Sequence, residues 1–133
     1  MTLYVDSSAL LKRYVDEHDS AAAIAHMSSD PVLVTSRVTE IEVRRNLTRL
    51  LSGAALDASR RRLAADLDAF ALVVVDAATC NEASRIAEQM LCRSLDSIHL
   101  ASALRSGSAT TVLTFDRRQA DAARTLGLSV IGV

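Results

Sequence analysis

The sequence opens with Thr2-Leu-Tyr-Val-Asp-Ser-Ser-Ala-Leu-Leu-Lys12, and this stretch decides the fold. Thr2 to Val5 is a short apolar run with β-branched residues, which predicts a buried strand. The apolar residues in 9–14 recur three to four positions apart, which predicts a helix. Asp6 stands between the two. Ligands bind at the carboxyl ends of strands in an open parallel sheet, so this aspartate can hold a metal, receive a phosphoryl group or cap the helix.

Length and composition limit the class of protein. The chain of 133 residues suits one domain, 1–133, whose core needs neither disulfides nor a structural metal. Half of the residues are apolar, but no run approaches the roughly 18 that span a bilayer, and no secretory signal precedes the first strand. Cys80 and Cys92 are too few for a disulfide framework or a zinc site. These features predict a cytoplasmic protein without a membrane partner.

The charged residues are balanced overall but cluster locally. The net charge of −1 does not indicate a general polyanion binder. Lys12 is the sole lysine, and arginine supplies the other basic residues, an excess that high genomic GC content explains without any function. Clusters such as Arg44-Arg45 and Arg117-Arg118 can still bind phosphates.

Strands alternate with helices along the chain. The patterns predict strands at 2–5, 32–35, 71–75, 110–115 and 128–131, and helices at about 7–17, 21–27, 37–51, 57–70, 79–91, 97–105 and 117–126. Asp30-Pro31 ends the second helix, and the unbroken apolar run 71–75 indicates a strand buried on both faces. Such alternation produces a parallel sheet between two helical layers. The sequence therefore predicts a three-layer α/β/α domain with five strands.

Three aspartates lie near one edge of this predicted sheet. Asp6 follows strand one, Asp116 follows strand four, and Asp96 opens a helix that runs back toward strand four. Each of them alone is most simply a helix cap. If strands one and four are neighbours, however, Asp6 and Asp116 lie side by side at a switch point, where grouped carboxylates repel one another until a cation intervenes. Oxygen ligands of this kind suit Mg²⁺ or Mn²⁺.

The long helix at 37–51 adds Glu40 or Glu42 to this group. Two residues apart on a helix, they point to nearly opposite sides, so only one can face the acidic group. Periodicity does not choose between them. His99 lies three residues after Asp96 among apolar neighbours, and we expect it to be packed or hydrogen-bonded rather than catalytic.

Four segments of the chain occur together in one known family. They are Tyr4-Val-Asp-Ser-Ser-Ala-Leu-Leu-Lys12, Ser36 through Glu42-Val-Arg-Arg45 with Leu47 and Arg49, Arg93-Ser-Leu-Asp-Ser-Ile-His-Leu-Ala-Ser-Ala103, and Val112-Leu-Thr-Phe-Asp116. In this order and spacing they resemble the PIN domain of VapC-type ribonuclease toxins, the toxic members of toxin–antitoxin pairs. The resemblance spans nearly the whole chain. It implies one PIN domain over 1–133 and a sheet in the order 3-2-1-4-5.

The resemblance also implies roles for individual residues. The acidic pocket would contain Asp6, Glu42, Asp96 and Asp116, and the ligands of Mg²⁺ or Mn²⁺ would be Asp6, Asp96 and Asp116. Ser8 would orient Asp6, and Thr114 matches the hydroxyl residue of the family's Thr-x-Asp segment. Arginines at the rim of the pocket would contact the RNA backbone, with Arg13, Arg45 and Arg117 as candidates. The chain departs from many relatives in carrying Gln119 where they have a further acid.

The implied function is metal-dependent hydrolysis of RNA phosphodiester bonds by a toxin that a cognate antitoxin inhibits. The resemblance also implies a homodimer. An antitoxin helix would dock on apolar surfaces, for which the candidates are Leu10, Leu11, Tyr14 and the region 47–51.

Two alternatives remain open at this point. One is a receiver-like, Mg²⁺-binding phosphoacceptor domain with Asp76, after strand three, as the acceptor. Ser7 stands where that fold needs a second acid, and no lysine occurs after residue 12, so both observations count against it. The other alternative is a catalytically inactive PIN-like module that only binds a partner.

Overall fold

Strands and helices alternate in the computed structural model, which describes residues 1–29 and 32–133. The strands are β1 (Thr2–Val5), β2 (Val32–Ser36), β3 (Ala71–Val73), β4 (Thr110–Thr114) and β5 (Ser129–Gly132). The helices are α1 (Ser7–Leu11), α2 (Ser20–Ser29), α3 (Arg37–Leu50), α4 (Gly53–Ala69), α5 (Ala77–Met90), α6 (Ser94–Arg105) and α7 (Arg117–Thr125). The predicted break at Asp30-Pro31 lies outside the described residues. Within those residues, no helix is long and apolar enough to cross a membrane.

The five strands form one parallel sheet in the order β3-β2-β1-β4-β5, as predicted. β1 is central, and its Leu3 lies opposite Leu33 of β2 and Thr111 of β4. The chain first builds the sheet to one side of β1 and then to the other. The switch point therefore lies between β1 and β4, and the Asp6 N–H extends their pairing by donating to the Leu113 carbonyl at 3.2 Å.

Helices cover both faces of the sheet. Adjacent side chains of a strand point to opposite faces, and in β1 both faces are buried: Leu3 packs with Leu10 and Leu47, whereas Tyr4 packs with Ile86 and other residues of the second cluster. The first cluster joins α1, α2, α3 and α4 to the sheet, and the second joins α5, α6 and α7. The predicted three-layer α/β/α architecture is confirmed.

Several predicted element boundaries were wrong. The helix expected at 7–17 stops at Leu11, and the Lys12 ammonium then pairs with Glu17 at 2.9 Å and covers the Phe115 ring. The helix expected from residue 57 begins at Gly53, whose φ of +57° allows a sharp turn directly out of α3.

The extent and burial of the third strand were also predicted wrongly. It ends at Val73 and forms the edge of the sheet, so its side chains are not buried on both faces. Val74 and Val75, which belong to the same apolar run, are 54% and 39% exposed. Helices cover an edge strand less completely than a central strand, which explains why Val74 and Val75 are exposed although they belong to an apolar run.

The prediction of an apolar surface for antitoxin docking was also largely wrong. Leu10, Leu11, Tyr14 and Leu47 are all at most 9% exposed, because α1 and α3 pack these side chains against each other and the sheet. Of the apolar residues in that set, Leu50 is exposed. The four buried residues, Leu10, Leu11, Tyr14 and Leu47, therefore stabilise the core.

Candidate active site

Asp6 lies at the carboxyl end of β1, where three donors surround its buried carboxylate. Its extended backbone lets it cap α1, and Oδ1 accepts the Ala9 N–H at 3.0 Å. The same oxygen accepts the Ser8 hydroxyl at 2.7 Å, and Oδ2 accepts the Thr114 hydroxyl. Ser8 in turn accepts the Phe115 N–H at 3.0 Å, so the ends of β1 and β4 are joined through the side chains around Asp6.

This environment shifts the protonation of Asp6. Burial raises the pKa of the Asp6 carboxyl above its usual value, and the positive charge of His99 and the hydrogen bonds from Thr114 and Ser8 offset that rise only in part. Because the carboxylate is only 4% exposed, its ionised form depends on these donors.

Glu42 is the acid of α3 that faces α1 and α6. Its Oε1 accepts the Ser7 hydroxyl at 2.6 Å and the His99 Nε2–H at 2.6 Å. Glu40, two residues earlier, faces elsewhere and pairs with Arg37 and Arg44 at 3.7 and 3.8 Å. As the helical geometry predicted, only one of the two acids faces the site: Glu42 lies near the carboxyl edge of the sheet, and Glu40 does not.

His99 connects Glu42 to the centre of the sheet. The ring is 3% exposed, and its Nδ1 lies 2.7 Å from the Tyr4 hydroxyl. A carboxylate can only accept, so Nε2 donates to Glu42, and Nδ1 is hydrogen-bonded to the Tyr4 hydroxyl. The prediction that His99 is hydrogen-bonded is confirmed. The sequence analysis did not predict that Tyr4 and Ser7 contact His99 and Glu42. The one available signal was a lone tyrosine in an otherwise aliphatic strand.

The same contacts keep Glu42 ionised. Burial alone would raise the pKa of Glu42, but the hydrogen bond and charge of His99, the Ser7 hydroxyl and the charge of Arg93 outweigh it, so the pKa lies below its usual value. Glu42 is thus a fixed negative charge at neutral pH.

Asp96 lies inside α6 and does not cap it. The helix begins at Ser94, so Asp96 is its third residue and its carboxylate projects from the first turn. The Arg93 Nε donates to Asp96 Oδ2 at 3.0 Å, and the Arg93 Nη2 lies 4.0 Å from Asp116 Oδ2. One guanidinium therefore bridges two of the predicted metal ligands. Sequence reasoning assigned no role to Arg93, although its position three residues before an acid was a usable signal.

Asp116 and Gln119 hold the start of α7. Asp116 caps this helix, as predicted, and its Oδ1 accepts the N–H groups of Arg118 and Gln119 at 2.9 and 3.4 Å. Gln119, at the position where the family resemblance implies a further acid, is 3% exposed and donates from Nε2 to the backbone carbonyl of Asp96 at 3.2 Å. This side chain ties α7 to the first turn of α6.

The four acids surround the carboxyl edge of the sheet without forming one tight cluster. The Arg93 guanidinium lies within 4.0 Å of both Asp96 and Asp116, and its charge also acts on Glu42. Among residues 1–29 and 32–133, no three Asp, Glu, His or Cys side chains converge closely enough to hold a metal ion as they stand.

The three arginine candidates for RNA contacts lie in different surroundings. The Arg13 Nε is 3.3 Å from Asp66, and the Arg45 Nη1 reaches the neighbouring Asn46 at 3.4 Å. Arg117 lines a shallow hollow together with Arg124.

Comparison with known proteins identifies the family. Residues 3–125 match the model of the PIN domain. Over 130 residues the chain is 38% identical to Ribonuclease VapC46 of Mycobacterium tuberculosis, an alignment that covers 97% of this chain and 95% of the relative. The chain belongs to the PIN-domain family and, within it, to the VapC ribonucleases. The resemblance stated from the four sequence segments is confirmed.

Solved structures of other proteins share the fold of this chain. FitAcB from Neisseria gonorrhoeae superposes with a TM-score of 0.78 at 19% identity, covering 98% of this chain and 96% of that one. A toxin–antitoxin complex from Klebsiella pneumoniae contains a chain with a TM-score of 0.73 at 17% identity, covering 99% of this chain and 97% of that one.

The fold of this PIN domain removes the receiver-like alternative. Receiver domains have the strand order 2-1-3-4-5, whereas the order here is 3-2-1-4-5. Asp76, the acceptor in that hypothesis, follows an edge strand and caps α5 by accepting the Thr79 N–H at 2.9 Å.

Proposed function

We propose that this PIN domain is the toxin of a toxin–antitoxin pair and an endoribonuclease that hydrolyses RNA phosphodiester bonds with Mg²⁺ or Mn²⁺. The observation that carries the proposal is the 38% identity to a VapC ribonuclease over 97% of the chain. The carboxylates at the switch point of the sheet support it, because the known ligand sites of open parallel sheets lie there.

The donor set fits a divalent cation. Asp96 and Asp116 already share one cationic group, the guanidinium of Arg93, and carboxylate oxygens are the ligands that Mg²⁺ and Mn²⁺ prefer. Asp6, Asp96 and Asp116 would hold the ion. Such an ion lowers the pKa of a bound water and neutralises charge on phosphate oxygens.

The other residues of the site keep its acids in position. Ser8 and Thr114 fix the carboxylate of Asp6 by donating to its two oxygens. His99 and Ser7 both donate to Oε1 of Glu42, and no described side chain donates to Oε2. Glu42 therefore offers an ionised oxygen that can accept a hydrogen bond from an attacking water and orient it.

The proposed partners are an RNA substrate, a cognate antitoxin and a second copy of the chain in a homodimer. Support for the antitoxin comes from the fold shared with the Klebsiella pneumoniae toxin–antitoxin complex. Arg13, Arg45 and Arg117 stay proposals for contacts with the RNA backbone. The proposed location is the cytoplasm, and 1–133 as one domain is part of the same proposal.

Cleavage of an RNA panel by the purified protein tests this function. We expect cleavage with Mn²⁺ or Mg²⁺, none in EDTA, and recovery when the metal is restored. Expression without the antitoxin, followed by mapping of new RNA 5′ ends, identifies the target. Failure to cut any RNA with either metal would contradict the proposal and favour the inactive PIN-like module.

A further inference from the structure

A groove of about 380 Å³ begins at Asp96 and runs along one face of α7. One wall is the end of α5 and the connector into α6, which contribute Leu91 and Arg93. The other wall is α7, which contributes Arg118, Ala122 and Thr125. These three are four and three positions apart and so share one face of the helix.

Two arginines, Arg93 and Arg118, line the groove together with Asp96 and Asp121. The Arg93 guanidinium lies at that end, between Asp96 and Asp116, and its side chain is 70% exposed. Arg118 lines the groove from the first turn of α7. The nearby Asp121 pairs with Arg124 at 3.7 Å, and no carboxylate in the described part of the chain forms an ion pair with Arg118. A free guanidinium next to an acidic site is available to bind a phosphate.

The connector supplies an exposed apolar surface. Leu91 is 88% exposed and has a φ of +54°, the left-handed region that side chains other than glycine rarely adopt. Holding leucine in this conformation costs about 1–2 kcal/mol, and an exposed side chain does not repay that cost by packing in the core. Together with Met90 and Ala122, Leu91 gives the groove an apolar wall.

We propose that this groove binds one nucleotide of the RNA adjacent to the scissile phosphate, with its base against Leu91 and its phosphate at Arg118. The inference rests on the proposed ribonuclease function, since the groove opens directly beside Asp96. Its volume falls within the roughly 300–1,000 Å³ of small-molecule sites. An apolar antitoxin segment would match the wall but leave the guanidinium of Arg118 without a partner, so RNA is the better fit.

The two cysteines allow the groove to be tested directly. Cys92 lines the groove, whereas Cys80 lies on α5 and lines a separate hollow with Ala83 and Ser97. Burial, and then the charge of Asp96, raise the pKa of the Cys92 thiol, so alkylation is followed at about pH 8.5. The wild-type protein is kept in EDTA to prevent metal-dependent cleavage, and a saturating single-stranded RNA 12-mer is added. We expect RNA to slow alkylation of Cys92 at least about fivefold and to leave Cys80 unchanged.

A matched pair of arginine variants tests the phosphate contact. Arg118→Gln should raise KM for RNA cleavage about 5- to 10-fold with little change in kcat. The slope of the logarithm of the RNA binding constant against the logarithm of salt concentration should become shallower by about 0.7. Arg85→Gln removes the same charge from α5, beside a different hollow, and should change neither quantity.

These measurements distinguish the groove from the ribonuclease function. Metal-dependent cleavage combined with an unprotected Cys92 and an unchanged KM in Arg118→Gln would contradict nucleotide binding in the groove. The proposed ribonuclease function would still stand. Absence of cleavage by the wild-type protein would instead refute the proposed function. Protection of Cys92 by the antitoxin but not by RNA would overturn the proposal and make the groove a protein-docking site.

Discussion

Thr114→Val removes the hydroxyl that donates to Asp6 Oδ2 and keeps the shape of the side chain. Thr114 is fully buried and Asp6 is 4% exposed, so water cannot easily replace the lost donor. A hydrogen bond to a charged group contributes about 1.5–3 kcal/mol, and the Asp116 N–H loses its acceptor as well. We therefore expect the free energy of unfolding to fall by about 2–3 kcal/mol near pH 8, and Tm to fall by roughly 6–10 °C.

The loss of unfolding free energy in Thr114→Val should grow as pH rises. Burial already raises the pKa of Asp6 in the folded protein, and removal of a donor raises it further. A carboxyl with a raised folded-state pKa binds its proton more tightly in the folded state, so its contribution to stability is present at low pH and is lost as pH rises through that pKa. The difference between variant and wild type should thus be smallest near pH 4 and largest near pH 8.

Urea unfolding in EDTA, followed by circular dichroism, measures this difference. Thr110→Val is the matched control, because Thr110 lies on the same strand, is 2% exposed, and its hydroxyl has no partner among the described residues. That control should be neutral or slightly stabilising at every pH. An equal loss in both variants, or a loss in Thr114→Val that does not change with pH, would refute the reasoning.

Two further predictions use matched pairs. Glu42→Gln should lower kcat for RNA cleavage at least about 100-fold, because Glu42 faces the site, whereas Glu40→Gln should leave kcat within about twofold; equal effects measured under saturating RNA would contradict the assignment. Gly132→Ala should destabilise by about 3 kcal/mol or more, because a Cβ there collides with the Thr114 carbonyl at a φ of +113°. Gly107→Ala, with a φ of +118° and its nearest atom 4.0 Å away, should cost only about 1 kcal/mol; urea unfolding that ranks the two in reverse would exclude this explanation.

The sequence predicted the layers of the fold better than the extent of each element. The apolar run at Thr2–Val5 correctly indicated a buried strand, because both faces of β1 are covered by helices. The run at 71–75 has the same apolar character, yet it contains an edge strand, because periodicity records apolar residues and not the position of a strand in the sheet. The strand order itself came from the family resemblance, since no local pattern determines which strands pair.

The same limit applies to the site. Aspartates after β1 and β4 were visible because they interrupt apolar runs, and the strand order then made them neighbours. The contact from His99 to Tyr4 spans 95 residues of sequence, so no spacing rule predicts it. The bridge from Arg93 to Asp116 likewise depends on how α6 and α7 pack. The roles of the four acids in catalysis and metal binding stay predictions.

The central claim is that Asp6, Asp96 and Asp116 serve one divalent cation during RNA cleavage. The single-turnover cleavage rate of Asp96→Asn with saturating Mn²⁺, compared with the wild-type rate, tests this claim most directly. Asp96 is a partly exposed residue of the first turn of α6, so the variant should keep the circular dichroism spectrum of the wild type. We predict no detectable cleavage by this folded variant, and a rate equal to that of the wild type would contradict the claim.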